Sequence, residues 1–177
     1  MKLLIALDVL ENGAASPGDV TRMIAASSDE IANRLWRTSI PGHWADRIGL
    51  TGLVPAENPK QWGDVRMTAR DVVAVYRHVM KSRHARVIVP ALEAATPSGE
   101  DGFDQTFGIP DAVGAHRSGV KQGWACCYDG RRVLDTTGVV DRRYVVVVLT
   151  EHHRSTGYAQ AVPLVTELVA ALTPLFA

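Results

Sequence analysis

Hydrophobic positions in the first hundred residues recur at three- and four-residue spacing, the period of helices that turn one face to a core. In MKLLIALDVLENG, Leu3, Leu7 and Leu10 share a face, and the run stops at Asn12-Gly13, a common helix C-terminal pair. Ser16-Pro17, with Asp19 at the third position, predicts a second helix through Val20, Met23 and Ile24. Ser27 and Glu30 have the spacing of a capping box that opens SSDEIANRLWR, and Thr68 with Asp71 does the same for DVVAVYRHVM. ARVIVPALEAA predicts a fifth helix, with Pro90 either kinking it or marking its start. GLTGLVPAENPKQWGDV and TPSGEDGFDQTFGIPDAVG are irregular and predict long loops, the second anchored on the core by Phe103 and Phe107.

The pattern changes after Gly119. VKQGWACCY, RRVLDTTGVV and RRYVVVVLTEH are extended candidates, with turns at Tyr128-Asp129-Gly130 and Val140-Asp141. Such short connections favour an antiparallel three-stranded meander. VVVVL is apolar throughout, as a strand covered on both faces should be. In the closing stretch YAQAVPLVTELVAALTPLFA, Ala161, Val165, Leu168 and Leu172 repeat at helical spacing, while Thr166 and Glu167 fall on another arc. That predicts an amphipathic helix packed on the sheet and no membrane span. The expected fold class is α+β, in one domain over residues 1–177.

The apolar opening could also be the start of a signal peptide. Asp8 interrupts the run, however, and an aspartate in the middle of an inserting segment costs about 3 kcal/mol. No signal peptide is expected. Nineteen basic and nineteen acidic residues balance without any block of like charge, so nucleic acid is not an expected partner. The two cysteines, Cys126 and Cys127, are adjacent; in an extended strand they point to opposite faces, so no disulfide between them is expected. No metal site and no cofactor is expected either.

Two short motifs, each weak alone, carry chemistry in combination. MIAASSDEIANRLW holds Ser27, Ser28 and Asp29, and the strand that follows Gly119 begins Lys121-Gln122-Gly123. In this order and on this architecture, with WGDVRMTARDVV between them, the chain resembles the penicillin-recognising serine hydrolases, the class A β-lactamase and D-alanyl-D-alanine peptidase superfamily. That family carries S-x-x-K, S-D-N and K-T-G motifs. By resemblance, Ser27-Ser28-Asp29 stand for S-D-N and Lys121-Gln122-Gly123 for K-T-G. Lys2 stands for the lysine of S-x-x-K, with its serine lying before Met1. The resemblance thus implies a β-lactamase/transpeptidase-like fold lacking its N-terminal helix and first two strands, so that the opening is the middle of a motif.

The resemblance implies acyl transfer on a peptidoglycan-type D-Ala-D-Ala peptide or a β-lactam-like small molecule, outside the cytoplasmic membrane. Lys2 would be base or proton relay, Ser27 would pass a proton to the leaving nitrogen, and Lys121 would attract a substrate carboxylate. Gln122 and Gly123 would line the substrate site, and Trp124 would present a backbone N–H to an oxyanion. Asp29, where asparagine is usual, cannot donate when ionised, so an ion-paired cluster is an equal reading of its role. Glu57 is the nearest loop glutamate but matches poorly and is left unassigned. Loss of a serine nucleophile costs on the order of a millionfold in rate. An inactive chain is therefore expected, and the alternative is a non-catalytic binding or interaction protein. With strands missing, RRYVVVVLTEH would be an open sheet edge, which invites self-association.

Overall fold

The first helix is apolar on every side, and such a helix is stable only at the centre of a core. A computed structural model describing residues 1–176 places it there: in α1 (Lys2–Glu11) every residue from Lys2 to Val9 is buried. Around it pack α2 (Pro17–Ala25), α3 (Asp29–Leu35), α4 (Ile40–Ile48), α5 (Ala69–Lys81) and α6 (Ala85–Glu93). The short α7 (Ile109–Ala112) leads into β1 (Ser118–Tyr128), β2 (Arg131–Val140), β3 (Tyr144–Val148) and β4 (Glu151–His153), and α8 (Tyr158–Ala170) follows. The fold is α+β, with eight helices and a four-stranded antiparallel sheet among the described residues.

The sheet lies between two helical layers. Val139 and Val145 face the core of α1, α5 and α6. Val120, Val140 and Val146 face the opposite layer with Ile109 and Val169. The strand order is β1-β2-β3, and β4 pairs with the first residues of β2. The expected third strand is therefore two strands. Thr150 breaks it, donating its N–H to Asp135 Oδ1 at 2.9 Å and its hydroxyl to the Leu134 carbonyl at 2.5 Å.

Several local expectations meet a different outcome. Ser28, not Ser27, caps α3, accepting the Ile31 N–H at 3.4 Å. Ser27 is left in the left-handed region at φ 54°, where residues with a β-carbon are uncommon. The α4 helix escapes the pattern reading because Gly42, His43 and Asp46 interrupt its apolar period; its anchor, Trp44, is buried. On α8 the buried positions are Ala161, Val165 and Val169, while Leu168 is 51% exposed and Leu164 48%. Tyr158–Leu175 is long and apolar enough to span a membrane by length and composition alone. Cys126 and Cys127 are bonded to each other, contrary to the expectation from strand alternation. The register of β1 shifts between Cys126 and Tyr128, so alternation does not apply there.

The capping box at Thr68 and Asp71 is present, with Asp71 N–H donating to Thr68 Oγ at 3.2 Å and Thr68 N–H to Asp71 Oδ2 at 3.0 Å. Pro90 lies inside α6. Phe107 is buried against Leu134, Ala161 and Val165, with Phe103 packed beside it.

Candidate functional site

Ser27 sits where α1, the α2–α3 junction and β1 meet. Lys2, at the start of α1, donates from Nζ to Ser27 Oγ at 3.0 Å, to the Ser27 carbonyl at 3.0 Å and to Asp29 Oδ1 at 2.5 Å. From β1, Lys121 Nζ donates to the same Ser27 Oγ at 2.9 Å and to the Gln122 carbonyl at 2.9 Å. A serine hydroxyl has two acceptor lone pairs and one O–H donor. With both lone pairs occupied by lysines, its O–H is the group left to serve a ligand. Because Ser28 takes over the capping role, Ser27 is released from the helix for this one.

Both lysines are kept below the ordinary lysine pKa. For Lys2 the cause is withdrawal from water, opposed by the Asp29 carboxylate. Lys121 is brought down to about 7, first by withdrawal from water and then by the positive charge of Lys2, with Asp29 and Asp101 opposing. Asp135 lies on the same face of the sheet, paired with Gly123 and two residues from the partner of Lys121. Burial pushes its carboxyl up to about 6, with the Thr150 N–H opposing. Behind Lys121, the fully buried Tyr76 hydroxyl meets Thr137 Oγ at 2.9 Å, and Thr137 donates to the Lys121 carbonyl at 2.7 Å. This bridge fixes β1 against α5, and with it the root of the Lys121 side chain.

Two tryptophans flank the cluster. Lys2 Nζ lies 4.8 Å from the Trp62 ring centroid, and Trp62 Nε1 donates to Asn33 Oδ1 at 2.7 Å. Lys121 Nζ lies 5.5 Å from the Trp124 ring, which stacks on Phe103 at 4.6 Å and donates to Asp101 Oδ2 at 2.8 Å. Glu100 is held by Arg22 at 2.5 Å, and its negative charge together with that of Asp101 acts on Lys2. Among the described residues no group of three His, Cys, Asp or Glu side chains is placed to hold a metal ion.

Of the residues picked from the sequence, Lys2, Ser27, Asp29 and Lys121 come together here, with Gly123 and Trp124 alongside. Gln122 does not join them. Strand alternation turns it to the opposite face, where its amide donates to the carbonyls of Gln105 at 3.0 Å and Phe107 at 2.6 Å. It ties a loop to the sheet and is not a substrate-binding side chain of this cluster. Asp29 is the ion-pair partner of Lys2, and its side chain is 65% exposed. Trp62, Asp101 and Asp135 were not legible as site residues, because each reaches the cluster from a segment without any motif.

Comparison with known proteins corrects one expectation. No family model matches the chain. Over 195 aligned residues it is 31% identical to proteins of Mycobacterium tuberculosis and Mycobacterium bovis that carry the name "Putative lipoprotein LppW". The match covers 98% of this chain and 60% of those relatives, so the chain spans well under two thirds of their length. Neither result points to the penicillin-recognising serine hydrolases. The assignment to that superfamily is therefore withdrawn, together with its hydrolase, penicillin-binding, D-alanyl-D-alanine peptidase and cell-wall readings. The resemblance rested on three-residue motifs, two of which depart from pattern at Asp29 and Gln122.

Proposed function

We propose that the Lys2–Ser27–Lys121 cluster is a non-catalytic recognition site for a small, carboxylate-bearing, peptide-like molecule. The observation that carries this reading is the single Ser27 hydroxyl held by two ammonium groups, at 3.0 and 2.9 Å. Two cations and a spare O–H donor match a carboxylate, which only accepts. The rings of Trp62 and Trp124 on either side supply apolar walls for the rest of such a ligand. A bound carboxylate would also favour the charged form of Lys121, so binding near pH 8 should take up a proton.

Isothermal titration with N-acetyl-alanyl-alanine, in its free-acid and C-terminal amide forms, tests this. The acid should bind at least about tenfold more tightly, since a hydrogen bond to a charged group contributes roughly 1.5–3 kcal/mol. Lys121→Met should remove that difference. Equal affinity for acid and amide, or an unaffected Lys121→Met variant, would defeat the proposal. A stoichiometric mass increase on Ser27 after incubation with an activated ester would replace reversible binding by acyl transfer.

A further inference from the structure

Apart from this cluster, the molecule has a groove of about 680 Å³ along the outer side of the sheet, where β3 ends the strand order. Its floor is β3, which pairs only with β2 among the described residues. One wall is α5. Arg70, Arg77 and Lys81 line it, and helical geometry puts these positions within about 40° of one another in a row about 16 Å long. None of the three is in a salt bridge among the described residues, and all are exposed. The other wall is apolar: Leu172, Phe176 and Leu175, the last 68% exposed. No aspartate or glutamate lines the groove.

A five-residue strand such as β3 is about 17 Å long, matching the row of cations. Its own side chains alternate between the walls: Val145 packs toward the α5 core, Tyr144, Val146 and Val148 toward the α8 layer. A strand added beside β3 would alternate in the same way. Arg77 and Lys81, four residues apart, are about 6 Å apart along the helix, close to the roughly 6.8 Å between alternate side chains of a strand. We infer that the β3 groove binds an extended peptide with acidic and apolar residues in strict alternation, its backbone pairing with β3 and its carboxylates facing α5. A second copy of this chain fits less well, because it would bring two such cationic rows together. Strand addition takes affinity from the backbone and specificity from alternate side chains.

The probe is a fluorescent peptide, Ser-Glu-Val-Glu-Val-Glu-Ser, read by anisotropy against the whole chain. Saturable binding is expected, weakening with salt. Two comparators should bind at least about tenfold more weakly: the same residues with Glu and Val in separate blocks, and the alternating peptide N-methylated at every second amide. The double variant Arg77→Glu with Lys81→Glu should lose binding by a similar factor while its circular dichroism and melting temperature stay unchanged. Arg77→Gln with Lys81→Gln, which keeps the groove free of like charge to the peptide, should fall between. The inference is overturned if no binding develops by about 1 mM, if the block or N-methylated peptide binds equally well, or if the charge variants bind as the unaltered chain does. It is also overturned if ultracentrifugation finds a dimer that the peptide does not dissociate, since a second copy then occupies the edge.

Discussion

Adjacent residues of α5 serve two positively charged regions of very different construction. Tyr76 points inward and is tied through Thr137 to the strand carrying Lys121; Arg77 points outward into the β3 groove. The inner region gathers its charges from segments far apart in sequence, takes them partly out of water and satisfies them with internal partners. The outer region takes three cations from one helix face and leaves them in solvent. Inner charges have shifted pKa values and depend on the whole core for their placement. Outer charges do not titrate near neutrality and need only the helix.

That contrast is broken most severely through the core. Leu4→Ala, at a fully buried position of α1, should cost about 2–5 kcal/mol in urea unfolding, because it leaves a cavity beneath the helix that carries Lys2. Arg77→Glu, on the exposed groove wall, should change stability by no more than about 0.5 kcal/mol. Comparable losses from the two would show that the inner and outer regions share one structural dependence.

The next largest difference is in pH response. Lys121 has a folded pKa of about 7, below that of the unfolded chain, so the unfolded state binds more protons between about pH 7 and 10. Its destabilising contribution is therefore fully present below pH 7 and is relieved as pH rises through that window. Lys121→Met should gain on the unaltered chain most at pH 6 and progressively less toward pH 10, in chemical denaturation at each pH. Lys81→Met should give a difference that is flat over the same range.

Smallest of all is the cap on Lys2. Asp29 is largely exposed, so Asp29→Asn should cost no more than about 1 kcal/mol. It should nevertheless lower the pKa of Lys121 further, since Asp29 is one of the charges that hold it up. An NMR titration of the lysine side chains reads this directly, and an unmoved Lys121 would show that the two lysines are not electrostatically coupled.

Local rules written into the chain were legible without coordinates. The capping residues Ser16, Thr68 and Asp71, the stop at Asn12-Gly13 and the residue range of β2 all depend on neighbours a few positions away. The end of the third strand was misread because Thr150 breaks the ladder through contacts with Leu134 and Asp135 of β2. The cap of α3 was misplaced by one residue because Ser27 and Ser28 are chemically equivalent; only the pull of two lysines from elsewhere decides which of them caps.

The sequence by itself determined the α+β class, most helix boundaries and the residue types available for polar chemistry, since period, capping and turn preferences act over short range. Tertiary structure alone decided that Lys2 and Lys121 share one hydroxyl, that Gln122 faces away from them, and that β3 is an edge beside a cationic helix. Those outcomes follow from which surfaces the packed core brings together. A buried ammonium needs partners, and only the folded chain determines which side chains stand close enough to provide them.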